Sequence, residues 1–145
     1  MKLVAKNADS IPAVTNAAHE RFEKAIRALN ELPQAKIETQ HDFHAGVYSR
    51  TIFIPRGVMI VGTEMQCATM LVQYGHGRFS DGMNARDLHG YVVMKGLPHR
   101  QCAFLAYEDT WATMYFATKA KTVEEAEKEF CNDPSTLISN KENHQ

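Results

Sequence analysis

Gly46 to Gly62 reads GVYSRTIFIPRGVMIVG, two β-rich runs joined at Pro55-Arg56-Gly57. The fixed φ of proline suits the second position of a tight turn and glycine suits its end, so the chain is expected to fold back here between two apolar strands. In the first run Tyr48, Arg50, Ile52 and Ile54 fall on one strand face, and Val47, Ser49, Thr51 and Phe53 on the other, because successive side chains alternate. Both faces are mixed in polarity, as in a strand that packs on one side and borders a cavity on the other.

Working outward, the β-like texture begins at Ile37, with the histidines of His41-Asp42-Phe43-His44 just before the first long strand. Beyond Gly57 come runs at Val58 to Glu64 and Ala68 to Gln73, then Tyr74-Gly75-His76-Gly77, whose glycines predict a turn, and a second turn at Ser80-Asp81-Gly82. Asp87 to Met94 is a further strand, broken by Gly96-Leu97-Pro98. Two last runs, Cys102 to Tyr107 and Thr110 to Ala117, are split by Glu108-Asp109. Short strands with turn signals about every 8 to 12 residues mark an antiparallel sandwich or barrel.

Helices flank this β region. Ser10 can cap a helix with Pro12 in its first turn, and Val14, Ala18, Phe22, Ile26 and Leu29 recur along one face until Leu32-Pro33. This amphipathic helix, over residues 11–32, is expected to pack on the barrel or on a second copy of the chain, which makes a homodimer the expected state. Thr122-Val123-Glu124-Glu125 is a capping box that opens a short helix with Val123, Ala126 and Phe130 on its apolar side. Asn132-Asp133-Pro134 ends it, and the last residues are expected to fray. The organisation is therefore an N-terminal helical extension (1–36), a β-barrel with a closing helix (37–131) and a C-terminal tail (132–145).

The 145 residues carry 16 Lys and Arg against 17 Asp and Glu, scattered rather than striped, which argues against nucleic acid as a partner. No apolar run approaches a membrane span or a secretory signal, so a soluble, cytoplasmic protein is expected. Cys67, Cys102 and Cys131 show no CxxC spacing and give no zinc signature.

A strand, a Pro-x-Gly turn, a strand pair, glycine turns, a strand ending in GLPH and a strand leading to EDTW together resemble the cupins, compact jelly-roll barrels. GVYSRTIFIPRG and LAYEDTWATMYF are similar, more narrowly, to single-domain cupin-like proteins of bacteriophages and prophages. The resemblance implies a cupin-type jelly roll over residues 37–130, and a bacterial host cell if the chain is phage-derived. Metal-binding cupins use two histidines and a carboxylate from a first motif and one histidine from a second. The first motif falls on Val61 to Leu71, VGTEMQCATML, where Met65 and Thr69 stand at histidine positions; the second places His99 of GLPHRQ at its metal histidine. One ligand of four does not make that site, and no metal or other cofactor is expected.

The remaining candidates are polar groups in apolar strands. Arg50 is costly to bury without a counter-charge or an anionic ligand. Tyr48, Arg50, His99, Arg100 and Trp111 are the expected ligand contacts, with His99 facing the cavity, Arg50 as the anion contact through its bidentate guanidinium, and Arg100 either a second charge contact or paired with Glu108 or Asp109. Met65, Met70, Met94 and Met114 are expected inside the barrel, with Trp111, Tyr115 and Phe53 as core or ligand platform. His76 and His89 are expected in or near turns, facing solvent. No nucleophile with a base and an orienting group is visible. The resulting expectation is a metal-free cupin-like barrel that binds a small organic molecule, with anions among the candidates. Its alternatives are a metal-dependent oxygenase or isomerase using His41, His44 and His99, and a dimeric structural or interaction module.

Overall fold

A computed structural model describes residues 6–7 and 10–137. In chain order the elements are β1 (Lys6–Asn7), α1 (Asn16–Asn30), β2 (Thr39–His44), β3 (Val47–Ile54), β4 (Met59–Val61), β5 (Thr69–Ser80), β6 (Ala85–Gly96), β7 (Ala103–Ala106), β8 (Thr110–Ala117) and α2 (Val123–Phe130), followed by a 3-10 turn at Pro134–Thr136. No helix among the described residues is long and apolar enough to cross a membrane. The expected frayed terminus from residue 138 onward lies outside the described residues.

The spine of the sheet is β5. One edge pairs with β6 from Thr69 opposite Gly96 to Ser80 opposite Ala85. Its other edge pairs first with β8, from Met70 to Tyr74, and then with β7, from Gly77 to Ser80. The sheet continues from β8 through β3 to β2, while β7 carries β4, so the two branches curl around one interior. The partner change falls at Gly75-His76, where the sequence predicts a turn. The strand instead runs straight through. Gly75 serves close approach, since a Cβ there would collide with the Thr110 side chain at the start of β8.

The Pro55-Arg56-Gly57 turn also differs from its expected form. Pro55 is the first residue of its turn, with Val58 N–H donating to Pro55 O (3.1 Å) and Gly57 at φ +85°. It joins β3 to β4, which are not paired: β3 lies between β2 and β8, and β4 lies on β7. The fold-back onto β3 is made upstream, where His44 pairs with Val47 around Ala45-Gly46. Both residues have positive φ (53° and 73°), the two-residue turn whose twist matches antiparallel strands.

Thr15, not Ser10, caps α1, accepting from Ala18 N–H at 3.1 Å. Ile11 is extended beside β6: its N–H donates to Lys95 O (2.7 Å), Leu97 N–H donates to Ile11 O (2.9 Å), and its side chain is 1% exposed. Burying Ile11 against a strand edge, with Thr15 offering an equally good cap, outweighs a longer helix. Ala18 and Phe22 of α1 are buried, whereas Leu32 is 58% exposed. Thr122 caps α2 as expected, its Oγ1 accepting from Glu125 N–H, while the Glu125 carboxylate accepts from Lys121 N–H (3.0 Å), one residue before the cap. Inside, Tyr48, Ile54, Leu71, Phe79, Met94, Phe104, Met114 and Phe130 belong to one cluster. Met70 does not join it, because its position on β5 has the outward parity.

Candidate functional site

The strand alternation that buries Tyr48 and Ile54 also turns Arg50 and Ile52 toward the interior. There a cavity of about 160 Å³ opens between β3, β5, β8 and the β4–β7 branch, with Phe130 of α2 and Leu137 at its side. Its lining is apolar except for a few groups, chiefly Arg50, Gln73 and Arg100. A larger, open cleft of about 1130 Å³ separates α1 from β4 and the C-terminal turn. Its lining is mixed and includes no arginine or lysine buried in the protein.

Arg50 sits in a polar chain under α2. Its Nη1 is 3.5 Å from Oε2 of Glu127, a residue 4% exposed, and its guanidinium lies 5.8 Å from the Phe130 ring centroid. Tyr48, with ring stacked on Phe130, places its hydroxyl 2.7 Å from Nδ1 of His41. Burial pushes the Tyr48 pKa up, against the charge of Arg50 and a hydrogen bond to it. Burial also lowers the pKa of His41, and the Arg50 charge adds to that.

The His41 shift fixes a sign. The unfolded chain protonates this imidazole near 6.5, the folded chain only at lower pH. Between those values the unfolded state holds more protons, so the contribution is fully present above the unfolded pKa and is lost as pH falls through this window. Going from about pH 7 to about pH 5.5 is therefore expected to lower the urea midpoint of the wild type more than that of His41→Gln. Equal losses in both proteins would remove His41 from the chain of interactions.

Arg100 and His99 exchange the positions expected of them. Pro98 and His99 occupy the middle of a turn closed by Arg100 N–H donating to Leu97 O (3.2 Å), with His99 at φ +67°. Proline second and positive φ third is the type II pattern. It leaves His99 exposed at the rim, its Nδ1 3.4 Å from Glu64 Oε2, and sends Arg100 inward. Arg100 is 5% exposed; its Nε donates to Thr69 Oγ1 (3.0 Å) and its Nη1 to Cys102 Sγ (3.6 Å). The glycine at 96 makes room, because a Cβ there would run into the Arg100 side chain and Thr69 Oγ1. Among the described residues no carboxylate pairs with Arg100, so Glu108 and Asp109 are not its partners. Desolvation pushes the Cys102 thiol up despite the neighbouring cation.

The other expected residues scatter. His41 and His44 lie three apart on β2, with His41 opposite Arg50 and His44 opposite Val47, so extended geometry turns them to opposite faces. Neither meets His99. Trp111 is 48% exposed on the outer face, 4.9 Å from the Phe53 ring, and is not brought to the cavity. Tyr115 is exposed on that face too. Sequence reasoning missed Glu127, although Val123, Ala126 and Phe130 frame it at helical spacing: a carboxylate inside an apolar stripe is the signal. It also missed Gln73 and Thr69 as interior polar groups.

No protein-family model matches the sequence, and neither does any curated protein. Solved structures do match in shape. A cupin-2 domain protein from Rhodospirillum rubrum aligns with TM-score 0.51 and 12% identity, over 78% of this chain and 82% of that one. Ectoine synthase from P. lautus aligns with TM-score 0.52 and 11% identity, over 68% and 75% of the two chains. The fold is that of a cupin. The interior does not fit the metal that cupins commonly hold. Met65 offers a thioether, Thr69 is engaged by Arg100, His99 faces outward, and the Arg100 charge would oppose a cation.

Proposed function

We propose that this cupin barrel binds a small organic anion in an interior without metal, with Arg100 as its charge contact. The supporting observation is the Arg100 guanidinium, buried beside an apolar cavity with only a hydroxyl and a thiol as described protein partners. Arg50 is balanced by Glu127, whereas Arg100 has no such balance, so one negative charge neutralises the interior. A guanidinium has five N–H donors and grips a carboxylate in bidentate fashion. The cavity equals roughly five water volumes, which suits a short-chain monocarboxylate. Gln73, 4% exposed, supplies a further polar contact.

Thermal shift against short mono- and dicarboxylates, phosphate and matched neutral amides tests this. Monocarboxylates are expected to raise the melting temperature of wild type and leave Arg100→Met unmoved. Without ligand, Arg100→Met is expected to be at least as stable as wild type, since removing an uncompensated buried charge relieves desolvation. Neutral amides acting as strongly as carboxylates, or an undiminished response in Arg100→Met, would sink the anion reading.

A further inference from the structure

On the outside of the barrel, His76 of β5 and His89 of β6 stand directly opposite one another. Their rings are 4.4 Å apart at 29°. The turn between β7 and β8 brings Glu108 to the same place, and one ligand atom from each of the three lies within 4.8 Å of the others. Among the described residues no other trio of His, Cys, Asp or Glu converges this way. The expected placement of these histidines in or near turns is corrected: the uninterrupted β5 puts both on one outward-facing side of the β5–β6 hairpin.

The main chain holds the three in place. Tyr107 and Glu108 N–H both donate to His76 O, at 2.9 and 3.2 Å. His76 N–H donates to Thr110 Oγ1 (3.3 Å), and that hydroxyl donates to Glu108 O (2.9 Å). Thr110 is fully buried and fits only because residue 75 is glycine. One hydroxyl thus ties together the backbones of two of the three side chains. The Tyr107 ring stands edge-on to His76 at 5.3 Å and walls one side.

Two imidazoles and a carboxylate suit borderline divalent ions such as zinc or nickel, and leave coordination positions open. Bond lengths of about 2.0–2.2 Å require the ligand atoms to draw in by roughly 1 Å, within reach of side-chain rotation at the exposed His89 and Glu108. We propose that His76, His89 and Glu108 bind one borderline divalent transition ion, which clasps the β7–β8 turn to the β5–β6 hairpin. The site is separate from Met65, Thr69 and His99, the positions of the two cupin motifs, and departs from the expectation that the chain takes up no metal.

Protein stripped with chelator and titrated calorimetrically with zinc or nickel chloride tests the proposal, with magnesium as the hard-ion control. One equivalent of zinc or nickel is expected to bind and raise the melting temperature, while magnesium does neither. Glu108→Gln is expected to weaken binding at least tenfold and His89→Ala to abolish it, with circular dichroism unchanged in both. His44→Ala, on the exposed end of β2, is expected to bind as wild type does. Cobalt(II) in place of zinc is expected to give visible absorption that is lost in His89→Ala. Absence of stoichiometric zinc or nickel binding overturns the proposal, as does binding that survives His89→Ala or is equally lost in His44→Ala.

Discussion

Glu127→Ala is expected to cost about 3–5 kcal/mol of stability, because breaking a buried ion pair strands the other charge. At roughly 2–4 °C per kcal/mol for a chain of this size, the melting temperature falls by about 6–20 °C. Glu127 has 4% of its surface exposed, and the Arg50 guanidinium 3.5 Å away is held under α2 against Phe130. Glu127→Gln keeps the shape and removes the charge, so it should recover only part of the loss. Arg50→Met combined with Glu127→Ala should recover most of it, since neither charge then needs desolvating. Urea melts of the four proteins decide the matter. A Glu127→Ala loss below about 1 kcal/mol would mean that the pair behaves as a surface bridge.

How much of this was legible in the sequence depends on the range of the interaction concerned. Local signals read well. The β3 alternation correctly put Tyr48, Arg50, Ile52 and Ile54 on one face, and the Thr122–Glu125 box correctly opened α2. Readings that depended on register or on a distant neighbour did not. Glycines at 75 and 77 look like a turn when only adjacent residues are considered, yet Gly75 answers to Thr110, 35 positions away. Ala45-Gly46 is a weak turn signal because alanine seldom adopts positive φ, and only the pairing of β2 with β3 shows that it does.

The site followed the same rule. That His99 and Arg100 point to opposite sides was legible from strand geometry. Which of them points inward was set by the positive φ at His99, a property of the whole turn. His76 and His89 meet because a 12-residue strand is matched residue for residue with its partner around Asp81–Asn84. Their spacing in the sequence carries no such information. Glu127 is the exception: it was missed, although a carboxylate within an apolar helical stripe is a local signal of burial.

Phe130→Ala is expected to cost about 3–5 kcal/mol as well, by a different mechanism, and to change what the barrel can hold. Phe130 ends α2, is 1% exposed, stacks on Tyr48 at 6.1 Å and meets Phe116 edge-on at 5.8 Å. Gln66 N–H donates to its carbonyl at 2.9 Å, so the main chain stays anchored and cannot collapse into the space the ring leaves. Phe130 also borders the cavity, so the void adds to it rather than forming a separate hole. Aromatic monocarboxylates such as benzoate are then expected to stabilise Phe130→Ala more than wild type, because the enlarged cavity takes the ring with less crowding. The added response should vanish in Phe130→Ala/Arg100→Met, because the carboxylate loses its guanidinium. A destabilised variant that gains no benzoate response would show that α2 closes the barrel without bounding the ligand space.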